Sequence, residues 1–161
     1  MVDWPQVSCA PGLSLTFLEG EALEEFCGRV LQAVFREQGR SLRLSLRFCG
    51  DEEMSELHER FFQDPTTTDV ISFSLLEETA PDIPHQDGSE LAEGELIVCL
   101  PFAERKAKDC GNDLKDEVAL YLIHGCLHLL GFDDQDEEAL EEMVHEEKKC
   151  LERLGFSVRK R

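Results

Sequence analysis

The stretch His124-Gly125-Cys126-Leu127-His128-Leu129-Leu130-Gly131-Phe132-Asp133-Asp134 decides how the rest of the chain is read. An α-helix advances about 100° per residue, so His124 and His128 fall about 40° apart on one face, with a rise of about 6 Å between them. Two imidazoles so placed can grip one metal ion. Three residues on, Gly131 lets the helix end in a left-handed turn, and a carboxylate just beyond it can then face the histidines. The pattern His-x3-His-x2-Gly-x2-Asp offers His124, His128 and Asp134 as three protein ligands and leaves a position for water, the arrangement of catalytic zinc. This spacing, with a glycine break and an acid beyond, outweighs the competing reading of core imidazoles satisfied by packing. Cys126 lies about 200° around the helix from His124 and reads as a small buried hydrophobe.

The helix that carries this stretch is expected from about Leu114 to Leu130. From Val118 to Ile123 it is apolar all round, which predicts burial, so its histidines are carried into the interior, where packing can hold ligand geometry. Before it, Gly111-Asn112-Asp113 marks a break, Pro101 suits the first turn of an earlier helix, and Gly94 to Leu100 reads as a strand. Val70 to Leu75, β-branched and aromatic, predicts another strand. Between these two strands, Glu77 to Glu93 with Pro81, Pro84 and Gly88 is a long polar loop. Leu42 to Phe48 alternates strictly, with leucines inward and Arg43 and Arg47 outward. Asp51 can cap a helix bearing Met54, Leu57 and Phe61 that stops before Asp64-Pro65. Nearer the N-terminus, Leu13 to Phe17 alternates and reads as a first strand. Glu21 to Gln38, with Leu23, Phe26, Val30 and Val34, is a helix closed by Gly39. After the histidines, a last acidic helix spans about Asp136 to Leu154, with Leu140, Met143 and Leu151 on its apolar side.

Length and composition fit one domain, residues 1–161: 42% hydrophobic and 32% charged residues are ordinary for a soluble globular chain. Seven unevenly spaced cysteines without a CxxC pair argue against a disulfide framework or a thiolate zinc site. The N-terminus lacks the features of a signal peptide and no apolar run reaches membrane-spanning length, so a cytoplasmic protein without membrane contact is expected. The net charge of −19 opposes nonspecific binding to a polyanion. Its distribution softens that, because residues 1–50 hold five arginines against six acids. Arg105, Lys106 and Lys108, and Arg159-Lys160-Arg161, are further small basic groups.

Three segments in order resemble the YbeY-type endoribonucleases, bacterial rRNA maturation factors. The family signature HGxLHLxGyDH corresponds to His124–Asp134, its upstream pTDVxSF element to Thr67-Thr68-Asp69-Val70-Ile71-Ser72-Phe73, and its GD/E-I-x-I strand to Gly94-Glu95-Leu96-Ile97-Val98. The resemblance implies an α+β fold, a small mixed four-stranded sheet flanked by helices with a buried metal-binding helix, and one zinc held by the signature. It also implies cleavage of single-stranded RNA, 3′ maturation of small-subunit rRNA and ribosome quality control, with single-stranded RNA or rRNA and the small ribosomal subunit as partners.

The chain departs from the family pattern twice. The third ligand position holds Asp134 where the commonest pattern has His, a competent zinc ligand that makes the site harder and open to other divalent transition metals. The arginine many members place shortly before TDV is matched by Phe62, with Arg60 two positions earlier, so phosphate contact or transition-state charge would fall to Arg60, to another basic residue, or to none. Asp133 and Asp69 are candidates for orienting a histidine or moving a proton, with a helix-end turn residue and a strand-entry cap as their competing readings. Phe61, Phe62 and Phe73 could stack on bases, although core packing is the better expectation.

Two rival readings remain at this level. The His-x3-His-x2-Gly spacing is also that of metzincin peptidases, but these need Glu directly after the first histidine, and this chain has Gly125. A non-catalytic, metal-stabilised assembly factor is the second, since an acidic surface would draw basic ribosomal proteins.

Overall fold

A computed structural model describes residues 3–76 and 91–159. In chain order the elements are β1 (Gln6–Cys9), α1 (Leu23–Gln38), β2 (Leu44–Cys49), α2 (Asp51–Phe62), β3 (Val70–Ser74), β4 (Gly94–Cys99), α3 (Leu100–Cys110), α4 (Leu114–Leu129) and α5 (Glu137–Leu154), with one 3-10 turn at Thr16–Leu18. The four strands form one mixed sheet in the order β1-β2-β4-β3. β1, β2 and β4 run parallel, while β3 returns antiparallel to β4, with Val70 opposite Val98 and Ser74 opposite Gly94. The expected α+β class and four-stranded mixed sheet are therefore present.

Alternation along β2 and β4 divides the interior into two apolar layers. Leu44, Leu46, Phe48, Leu96 and Val98 face a layer closed by α1, α4 and α5, whereas Cys49, Ile71, Ile97 and Cys99 face Met54 and Leu57 of α2. Arg47, on the α2 side of β2, pairs with Glu53. Each large apolar side chain removed from water contributes about 1.5–3 kcal/mol. In α4 every residue from Glu117 to Ile123 and from Gly125 to Leu127 is buried, which meets the expectation of a helix apolar on all sides.

Two expectations are corrected. Leu13 to Phe17 is no strand: Leu13, Leu15 and Phe17 do pack against the core, but without a ladder partner, and the chain turns at Thr16–Leu18 and Glu19 (φ 53°). Alternating burial alone cannot distinguish an extended segment lying on a core from a paired strand. The first strand is instead Gln6–Cys9, four residues that gain their structure from parallel pairing with β2. Asp51, expected as a helix cap, is the first helical residue after Gly50. Both its carboxylate oxygens accept from Arg105, at 2.8 Å each, so a charged partner from α3 outcompetes the local amides. That pairing also takes Arg105 out of the suggested basic group. Residues 77–90 of the expected polar loop lie outside the described residues.

Candidate metal centre

The site is built by the way α4 ends. Phe132 N–H donates to Leu127 O at 3.0 Å and Gly131 N–H to His128 O at 3.1 Å, with Gly131 at φ 106°. These two bonds define a Schellman close, which needs a residue tolerant of positive φ at this position. The reversal carries Phe132 O to within 3.1 Å of His128 Nδ1. A carbonyl only accepts, so Nδ1 carries the hydrogen and Nε2 the lone pair. Next, Asp133 Oδ1 accepts from the N–H groups of Asp134 (2.7 Å) and Gln135 (3.2 Å), a tight local turn that swings Asp134 back toward the helix. Asp136 then caps α5 by accepting from Ala139 N–H at 2.7 Å.

His124 Nε2 and His128 Nε2 lie 3.0 Å apart, and each is 3.5 Å from Asp134 Oδ2. Four-coordinate zinc with ligand bonds of about 2.0–2.1 Å sets its donor atoms about 3.3 Å apart. Three converging electron-rich atoms at that separation repel one another unless a cation or shared protons stand between them, so the donor set fits a divalent metal. Among the described residues this trio is the group of His, Cys, Asp and Glu side chains able to hold an ion. Cys126 takes no part; it is fully buried, and burial pushes its thiol pKa up.

His124 and His128 line an open groove of about 330 Å³ together with His58, Phe62, Thr68, Val70, Ile71, Ser72 and Gly125, and Asp134 lies against the two imidazoles. Phe62 is 52% exposed and its ring sits 5.6 Å from that of His58. The His58 Nδ1 is 2.8 Å from Thr66 O, which leaves Nε2 as its lone-pair nitrogen. Phe61 is also exposed but packs edge-on against Phe73 at 4.9 Å. Core packing, expected for all three phenylalanines, is found for Phe73, which packs against the second apolar layer, and is overturned for Phe61 and Phe62, which are about half exposed.

Family comparison places these residues in context. The family model described as endoribonuclease YbeY matches residues 15–155. The chain belongs to the YbeY endoribonuclease family. A YbeY relative from Parasynechococcus marenigrum is 35% identical over 160 residues, 99% of this chain and 75% of its own length. Another, from Halorhodospira halophila, is 35% identical over 125 residues, 78% of this chain and 79% of its own length. The match to a Synechococcus relative is 37% identical over 101 residues, covering 63% of this chain and 61% of that relative's length. The solution structure of TM1509 from Thermotoga maritima shares the fold, with TM-score 0.56 and 23% identity over 93% of this chain and 91% of that one.

In this YbeY-family chain Phe62 walls the groove beside the histidines. Arg60 does not line it; its guanidinium lies 5.4 Å from the Phe61 ring centroid. Asp69 faces the other flank of His124, in a cavity of about 460 Å³ shared with Phe102, Lys106, Glu117 and Tyr121. Its Oδ1 accepts from Val70 N–H at 2.7 Å. His58, in the groove, and Glu147, against His124, were not expected from the sequence. His58 had no local signal. Glu147, whose Oε1 lies 3.5 Å from His124 Nδ1, had one: it is an acid inside the apolar stripe of α5.

Glu117 supplies a pH prediction. Buried in α4, it accepts from Tyr121 Oη at 3.2 Å, and burial raises its carboxyl above the ordinary range despite that bond. Its contribution to stability is complete below the unfolded carboxyl value and is lost as pH rises through the raised folded value. Glu117→Gln keeps an acceptor for Tyr121 and removes the ionisation. We expect its Tm to match wild type near pH 4 and to exceed it by a few degrees near pH 8, measured by thermal scans across that range.

Proposed function

We propose that this chain is a metal-dependent endoribonuclease that cuts single-stranded RNA, acting in 3′-end maturation of small-subunit rRNA and in ribosome quality control. The observation that carries the reading is the convergence of His124, His128 and Asp134, with both histidines lining an open groove. These three side chains would hold one divalent ion per chain, zinc being the best match to two imidazoles and a carboxylate. When bound, such an ion supplies Lewis acidity at a phosphoryl oxygen and an acidified water.

The chain's own residues bind and orient. Phe62 and the neighbouring His58 ring present π faces on which a base of a single strand can stack, an interaction worth about 1–3 kcal/mol per base. Thr68 and Ser72 line the same groove and bring hydroxyl donors suited to phosphate or ribose. Asp133 acts through Asp134 by fixing its turn. Asp69, on the far side of His124, is the candidate for relaying a proton. Arg60, on the helix that also carries His58 and Phe62, contributes positive charge outside the groove.

The test is paired mutagenesis with elemental analysis and an oligoribonucleotide cleavage assay. Wild type is expected to carry about one metal ion per chain and to cut a single-stranded substrate, with activity lost to a chelator. Asp134→Ala is expected to lose metal and activity together, while Asp133→Ala, which loosens the turn and removes no donor, keeps most of both. Metal without cleavage would favour the assembly-factor reading, for which the net charge of −19 is the supporting observation. Co-purification of basic ribosomal proteins that survives ribonuclease treatment would then be its signature.

A further inference from the structure

Along α5 the buried positions are Met143, Glu147, Cys150 and Leu151. Glu147 stands one helical turn from Met143 and one from Leu151, on the stripe that packs against the core. Its side chain is 1% exposed, and Oε1 lies 3.5 Å from His124 Nδ1. Burying a carboxylate costs on the order of several kcal/mol unless a partner offsets it. Leucine would complete the stripe without that cost.

We propose that Glu147 is a positioning residue of the metal centre. It accepts the Nδ1–H of His124 and holds the ring as the tautomer whose Nε2 lone pair faces Asp134; the assignment rests on the metal-binding reading above. The neighbouring ring meets the same requirement differently. His128 sits in the last turn of α4, where the chain reversal brings Phe132 O to its Nδ1 at 3.1 Å. His124 lies one turn earlier, where the carbonyls are engaged in the helix's own i→i+4 bonds, so its acceptor comes from the adjacent helix. The acids closer in sequence have other tasks: Asp133 Oδ1 accepts two backbone N–H groups. A carboxylate behind a ligating imidazole fixes the tautomer and raises the basicity of the metal-facing nitrogen, and its loss typically weakens metal affinity 10–100-fold.

Glu147→Gln and Glu147→Leu, made in the full chain, test this. Zinc affinity measured by chelator competition is expected to fall by about 10–100-fold in both. Side-chain nitrogen NMR of the metal-free wild type is expected to show hydrogen on His124 Nδ1, whatever protons the trio shares at Nε2, and Glu147→Leu is expected to lose that preference. Metal-free Glu147→Leu is expected to stay folded with a Tm within a few degrees of wild type, because relief of the buried carboxyl offsets the Nδ1–H left unpaired on His124. A purely structural Glu147 would instead lower the Tm and leave zinc affinity intact. Affinities within about twofold of wild type in both variants, or a wild-type His124 whose Nδ1 carries no hydrogen, would overturn the proposal. If wild type binds no zinc, the metal reading fails by itself and the tautomer measurement alone decides the role of Glu147.

Discussion

A His128→Ala protein is expected to lose its metal and to cut single-stranded RNA slower by at least about two to three orders of magnitude, the cost of removing a preorganised electrophilic centre. The same protein is expected to fold. The His128 side chain is 28% exposed on the groove, so its removal leaves no sealed cavity in the core, and the helix end is held by backbone bonds from Phe132 to Leu127 and from Gly131 to His128 that alanine keeps. What disappears is one Nε2 donor and the Nδ1 bond to Phe132 O, a net loss of about 1 kcal/mol in the metal-free protein. Elemental analysis, circular dichroism and a cleavage assay on one preparation read the three quantities together. A variant that stays folded, loses metal and still cuts RNA at the wild-type rate would place the chemistry elsewhere.

That the trio could be recognised from sequence follows from how locally it is made. His124, His128 and Asp134 sit within one helix end and one turn, and the relations among them are set by the periodicity of α4, the left-handed allowance of Gly131 and the Asp133 turn. The burial of α4 was equally legible, since a helix apolar on all faces has nowhere else to go. Long-range relations were not. β1 exists because β2 presents a parallel edge to it, and nothing in Gln6–Cys9 announces that pairing. Asp51 has the residue type of a cap, yet Arg105, fifty-four positions away in sequence, takes its carboxylate. Glu147 reaches His124 from another helix, so its role becomes visible only when α4 and α5 are packed. The contact had a trace in the sequence even so: an acid spaced four residues from Met143 and four from Leu151 breaks the apolar stripe that would otherwise have been continuous.

Gly125 carries the other large expected effect. In a zinc peptidase of the same histidine spacing this position supplies the general base, and the direct experiment is Gly125→Glu. We expect that variant to cleave no casein and to be destabilised by about 3 kcal/mol, with metal content reduced because His124 is the adjacent residue. A Cβ on Gly125 would lie 2.8 Å from Leu96 Cδ2, 3.6 Å from Leu96 Cδ1 and 3.4 Å from Val70 Cγ2. Leu96 is fully buried in β4, packed in the layer between the sheet and α4, so it has little room to withdraw. Overpacking of this kind costs about 1–3 kcal/mol before the rest of the glutamate is placed. Gly125→Ala isolates the first atom: alanine recovers up to about 1 kcal/mol of helix propensity, so a net loss of stability would show that the contact with Leu96 outweighs it. Denaturant unfolding of the two variants separates these terms. If Gly125→Ala were stabilising, the close approach of α4 to β4 would be easily relaxed, and Gly125→Glu could then be accommodated. If it is destabilising, the residue after the first histidine is a helix–sheet contact that admits no general base, and the glycine that sets this chain apart from the peptidases is there to let the metal-binding helix lie against its sheet.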